Sequence, residues 1–184
     1  MPNSSRIAAP DAGLRAWVRH PDLIVPYLHT QWQRAFHLNI SKIDNFLYVG
    51  GQFRAEQWAA LHALGVRAVL SLQDEREDRF AGPPAPETLR LRVRDFHPPT
   101  IEQLREAVAF IDAARARQLP VMVHCHAGVG RASLTASAYL VAQGLPHDQA
   151  FHTIRRARPI VVLNNRQLAR LREWEHDVAR RAQL

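Results

Sequence analysis

"VHCHAGVGRAS", residues Val123 to Ser133, holds Cys125, the one cysteine of a 184-residue chain. The apolar run LPVMVH leads into it, and a stretch rich in Ala, Leu and Val follows Arg131. The pattern predicts a strand, a tight loop and a helix, in that order. Gly128 and Gly130 admit backbone conformations with φ > 0, so the N–H groups of His126, Ala127, Gly128, Val129 and Gly130 can turn into one concavity. Such a concavity suits a tetrahedral oxyanion. The positive end of the following helix strengthens it, and the Arg131 guanidinium can grip two oxygens at once. The same field favours a thiolate over a thiol, since a helix N-terminus and a nearby cation both stabilise negative sulfur. Cys125 therefore reads as a nucleophile beneath a phosphate cradle. Without that setting a lone cysteine would read as a small buried hydrophobe at a strand end.

Outward from this loop, strand and helix patterns alternate. FLYVGG is a short strand stopped by two glycines, AEQWAALHALGV a helix with Trp58, Leu61 and Leu64 on one face, and RAVLSL a buried strand. QDEREDRFAGPPAPE, charged and then proline-rich, predicts an exposed loop, and LRLRV a strand with one wet face. Thr100 and Gln103 form a capping-box pattern that opens a helix with Ile101, Leu104, Val108 and Ile111 as its buried stripe. After the helix that follows Arg131, Pro146 introduces another with Phe151 and Ile154 turned inward. A long terminal helix places Leu168, Leu171, Trp174 and Val178 on one face. Interleaved strands and helices predict an α/β fold with a mixed central sheet flanked by helices. Residues 1–38, broken by Pro2, Pro10, Pro21 and Pro26 but carrying short amphipathic stretches, read as a helical arm, and residues 39–184 as the main domain.

The sequence His124-Cys125, with Gly128 and Arg131 at the following spacings, resembles the HCxxGxxR signature of the protein tyrosine phosphatase superfamily. LYVGGQFRAEQWAALHALGVRAVLSLQDERED, RDFHPPTIEQL and RARPIVVLNNRQLARLREWE are similar to the segments that flank this loop in small dual-specificity and atypical phosphatases. The resemblance thus extends over residues 40–180 or so. It implies a dual-specificity-phosphatase-like fold, a shallow pocket, and a two-step hydrolysis through a phosphocysteine that needs neither metal nor cofactor. It also implies a general acid on a loop some 30 residues before the cysteine. Asp95, in VRDFHPPT, lies 30 residues ahead of Cys125 and directly before the Pro98-Pro99 pair that precedes a helix. Asp74, Glu75, Glu77 and Asp78 fall in a solvated charge run on an earlier loop and rank as pocket rim at most. By the same resemblance His124 orients the cysteine loop through its ring. Many relatives carry Ser or Thr directly after the loop arginine; here the residue is Ala132, and Ser133 sits roughly 100° further round the helix.

Composition narrows the partners. Hydrophobic residues make up 47% and charged residues 22%, as in a soluble globular protein, and no apolar run approaches the roughly 18 residues of a membrane span. The amino terminus lacks the apolar core of a secretory signal, and one cysteine cannot form an intrachain disulfide, so a reducing cytoplasm is expected. A net charge of +7 would attract polyanions, but its arginines, among them Arg155, Arg156 and Arg158, are scattered and read as solvated surface; no DNA partner is expected. The scattered histidines have no ligand spacing, and no metal site is expected. The arm is expected to pack on the domain rather than to dock on a membrane surface. The expected substrate is a protein phosphorylated on tyrosine, serine or threonine, with phosphate, sulfate and vanadate as further active-site anions. Two other classes stay open: the same chemistry on a phospholipid, phosphoinositide, phosphosugar or RNA 5′ phosphate, and a catalytically weak phosphate-binding module. Lipid-directed relatives often carry Lys or Arg at the loop positions held here by His126, half-basic at best near neutral pH, and Val129, and Val129 argues mildly against inositol polyphosphates.

Overall fold

The computed structural model describes residues 38–183, so the arm expected over residues 1–38 lies outside the described residues but for Leu38. The apolar runs become strands β1 (Ile40–Lys42), β2 (Leu47–Gly50), β3 (Ala68–Gln73), β4 (Glu87–Val93) and β5 (Val121–His124). They form one sheet in the order β1-β2-β5-β3-β4, antiparallel between β1 and β2 and parallel elsewhere. The three inner strands are buried at every residue, which is why they read as unbroken apolar runs; parallel strands with helices on both faces have no wet side. Only β4, at an edge, shows the alternation expected of LRLRV. Strand β1 was not legible, because three residues are too few to show a period.

Helices α1 (Trp58–Ala63), α2 (Ile101–Ala116), α3 (Arg131–Ala142), α4 (His147–Ala157) and α5 (Asn165–Arg181) complete the fold. One face of the sheet is covered by α1, whose six residues are too few to be stable alone. Trp58 and Leu61, both 0% exposed against Val69 and Met122, hold it down, and a fully buried side chain of that kind contributes about 1.5–3 kcal/mol. The other helices pack on the opposite face around α3, which is buried from Arg131 to Tyr139. Ala132, Ser133, Thr135, Ala136, Ser137 and Ala138 keep α3 slim enough for this central place, and the buried hydroxyls of Thr135 and Ser137 donate to the carbonyls four residues back at 2.9 and 2.8 Å.

The capping box predicted at Thr100 is present, with Thr100 Oγ1 accepting from Gln103 N at 3.1 Å and Gln103 Oε1 from Thr100 N at 3.0 Å. Asn164 and Gln167 form a second one at the start of α5. The proline-rich loop after β3 is less free than its composition suggested. Trp58 Nε1 donates to the Pro83 and Pro84 carbonyls at 3.3 and 3.1 Å, and Phe80 packs edge-on against Trp58 at 5.2 Å between ring centres.

Candidate active site

Strand β5 delivers Cys125, and α3 begins at Arg131, so the strand, loop and helix follow in the order expected. The loop between them is fixed by its carbonyls. His126 O accepts from the Gln52 amide at 3.0 Å. Ala127 O accepts from Asn39 Nδ2 and Arg158 Nη2, both at 3.2 Å. Gly128 O accepts from Arg158 Nε at 2.7 Å and from the Ser133 hydroxyl at 3.2 Å. With three consecutive carbonyls tied outward, the amides between them face the opposite way. Gly128 N–H donates to Cys125 Sγ at 3.2 Å, and the N–H groups of Ala127, Val129 and Gly130 find no acceptor among the described residues. Gly128 has φ +70°, and a Cβ there would run into the Gly50 carbonyl and lie 2.6 Å from Arg158 Nη2, so only glycine serves.

Cys125 forms the floor, 2% exposed, beside Arg131 at 1%. The guanidinium is held from behind: Nη1 donates to the carbonyls of Val93 (2.7 Å) and Leu72 (3.3 Å) at the ends of β4 and β3, and to Glu75 Oε2 (3.0 Å). Its Nη2 makes ion-pair contacts with Glu75 Oε1 at 2.9 Å and Asp95 Oδ1 at 3.0 Å, neither aligned as a hydrogen bond. Its Nε, also buried, has no acceptor among the described residues. Buried donors left in this state are what an oxyanion would satisfy. Burial works against the charge of Arg131, but the Glu75 hydrogen bond and its charge interactions with Cys125, Asp95 and Glu75 more than offset it and raise its pKa above the ordinary value. Glu75 shows the complement: burial pushes its carboxyl up, while the hydrogen bond and charge of Arg131 pull it below the ordinary 4.5.

Asp95 stands at the rim, 47% exposed, where β4 ends. Its Oδ1 accepts from Phe96 N at 3.0 Å, and its carbonyl lies 2.9 Å from His97 Nδ1. A groove of about 820 Å³ between α2 and α5, lined by Arg105, His176 and Asp177 among others, contains none of these residues.

Residues 47–177 match the family model of the dual specificity phosphatase catalytic domain. The chain belongs to this family. It is 34% identical over 122 residues to dual specificity protein phosphatase 12 of Homo sapiens, covering 64% of this chain and 36% of that protein. It is 30% identical over 139 residues to dual specificity protein phosphatase 1 of Mus musculus, covering 74% and 37%. The chain thus spans little more than a third of the length of these relatives. Among solved structures, PTPMT1 in complex with PI(5)P aligns with a TM-score of 0.71 at 25% identity, over 78% of this chain and 99% of that one. A mouse putative dual specificity phosphatase complexed with zinc tungstate aligns with a TM-score of 0.73 at 23% identity over 80% and 93%, a likeness of fold.

In this dual-specificity phosphatase domain the charge run after β3 is more than a rim. Asp74 and Glu77 are exposed, as expected, but Glu75 clasps Arg131 and Asp78 lies 2.8 Å from Nε2 of the fully buried His124, whose ring also meets Phe53 edge-on. The reading of Arg158 as solvated surface is corrected as well. It is 4% exposed, because the chain leaves the helix at this residue (φ −140°, ψ 83°) and turns the side chain inward, while Arg155 and Arg156 stay exposed on α4. Its Nη2 also donates to Asn39 Oδ1 at 2.6 Å and its Nη1 to Ser41 Oγ at 3.2 Å. No local pattern announces such a residue; the sole sequence signal is its place just past a helix end and before Pro159. Ser133 spends its hydroxyl on Gly128 O, and His126 is exposed, with Nδ1 3.2 Å from Gln52 Oε1.

Proposed function

We propose that this chain hydrolyses phosphomonoesters through a phosphocysteine, with phosphotyrosine, phosphoserine and phosphothreonine of proteins as substrates. The amides of His126 to Gly130 and the Arg131 guanidinium receive the three equatorial oxygens of the phosphoryl group. The Cys125 thiolate attacks phosphorus in line, a sulfur–phosphorus bond forms, the ester oxygen–phosphorus bond breaks, and Asp95 gives its proton to the departing oxygen. Water then attacks the phosphocysteine while the Asp95 carboxylate takes a proton from it; the thiolate and inorganic phosphate are released. His124, held by Asp78, fixes the strand end behind the nucleophile.

One observation carries this reading: three consecutive loop carbonyls are bonded outward, which leaves an array of amides over a buried cysteine and an arginine with donors to spare. A second reading, hydrolysis of a phosphoinositide headgroup, draws support from the alignment with PTPMT1 in complex with PI(5)P. The test is hydrolysis of p-nitrophenyl phosphate in the presence of chelator, with block by vanadate and loss of turnover in Cys125→Ser. A protein that binds vanadate but turns over no ester would reduce the proposal to a phosphate-binding module. Parallel rates on phosphopeptides and on phosphoinositide vesicles decide between the two substrates.

A further inference from the structure

The start of α5 touches both loops of the site. Asn164 is its N-cap: Oδ1 accepts the Gln167 N–H at 3.0 Å, and Gln167 Oε1 accepts the Asn164 N–H at 3.1 Å. That cap uses only the oxygen of the Asn164 amide. Its nitrogen, Nδ2, reaches across 68 residues of sequence and donates to the Phe96 carbonyl at 2.9 Å. Capping alone does not call for an amide, since Ser, Thr or Asp would cap as well.

Phe96 has a cost of its own. It is an aromatic residue at φ 60° and 67% exposed, so the left-handed backbone is not repaid by burying the ring. Conformations of this kind cost on the order of 1–3 kcal/mol and persist only where the surroundings enforce them. What the turn achieves is local: the Phe96 N–H donates at 3.0 Å to Asp95 Oδ1, the oxygen that lies 3.0 Å from Arg131 Nη2. On the far side of the cap the buried Gln167 amide lies against the phosphate loop, with Nε2 2.8 Å from where a Cβ on Gly130 would stand. A single helix terminus therefore abuts the phosphate loop and grips the turn that bears the acid.

We propose that Asn164 is a positioning residue: its side-chain amide holds the strained turn at Phe96 so that the Asp95 carboxyl stands over the phosphate site. This rests on the reading of Asp95 as the general acid. Asn164→Asp separates the two duties of the side chain, because a carboxylate still caps α5 but has no proton to offer the Phe96 carbonyl. The thermal midpoint should stay close to that of the wild type. Turnover of p-nitrophenyl phosphate, whose leaving group needs little protonation, should change by less than about threefold, and turnover of a phosphoserine peptide should fall about tenfold or more. Asp95→Asn should move the same ratio further, and Asn164→Asp added to Asp95→Asn should move it no more. Equal losses on both esters, or none on either, would overturn the proposal. If Asn164→Asp does not fold, Asn164→Ser, whose hydroxyl caps but is too short to reach Phe96, must shift the ratio in the same direction or the proposal fails. If Asp95→Asn itself leaves the ratio unchanged, the acid assignment falls together with this inference, while the role of Cys125 stands.

Discussion

The loop from Cys125 to Gly130 and the turn from Asp95 to His97 meet at the Arg131 guanidinium, yet they are secured very differently. Residues from four separate segments bond the carbonyls of the first: Asn39 before β1, Gln52 after β2, Ser133 in α3 and Arg158 after α4. The second is exposed at Asp95 and Phe96 and is gripped from outside mainly by Asn164 and Arg131. The tasks proposed for them account for the contrast. An array of amides stabilises developing charge only if it need not rearrange during the reaction, so the cradle is fixed. A general acid has to meet leaving groups of different size and change protonation between two steps, which an enclosed carboxyl could not do.

Substitutions on the two sides should separate binding from chemistry. Asp95→Asn is expected to lower kcat on a phosphoserine peptide about 10²–10⁴-fold while vanadate affinity stays near the wild-type value; a large loss of affinity would place Asp95 in the cradle instead. Arg158→Met should do the reverse by releasing the carbonyls of Ala127 and Gly128. Losing charged hydrogen bonds in a buried setting costs about 1.5–3 kcal/mol, readable in thermal unfolding, and vanadate affinity should fall with it. An Arg158→Met protein with wild-type anion affinity would show that the loop holds its shape unaided.

Glu75→Gln should have the smallest effect, and one that depends on pH. A carboxyl whose folded-state pKa is depressed stabilises the fold above its unfolded-state value and loses that contribution as pH falls through the folded one. The wild type should therefore unfold at a higher temperature than Glu75→Gln at neutral pH, and the difference should shrink below pH 4.5, the ordinary value of the group. A difference that persists in acid would mean that Glu75 acts through packing and not through its charge on Arg131.

The form of the cysteine loop was legible in the sequence because it is local: the two glycines, Cys125 and Arg131 lie within seven consecutive residues between a strand and a helix. Asp95 was picked out through the family resemblance, and the structure brings its carboxyl to within 3.0 Å of Arg131. The residues that secure the cradle could not. Asn39, Glu75, Asp78 and Arg158 act across the sheet, at separations of up to 119 residues, and each has a bland alternative as a charged or polar surface group. Glu75 and Asp78 were hidden within a run of charged residues of both signs, and Arg158 beside two arginines that do face solvent. Asn164 was hidden by its other duty as a cap. Hydrophobic period reports which side of an element is buried, but says nothing about a polar side chain buried by its partner.

Strand β1, three residues at the sheet edge, adds little to either hydrophobic layer, yet Asn39 just ahead of it and Ser41 within it supply two of the groups that meet Arg158. Peeling that short edge away would leave sheet and helices in place and still let the anion cradle go slack. Turnover should consequently fade under milder heating than circular dichroism detects, which makes the reaction itself a gauge of whether the two ends of the domain remain docked.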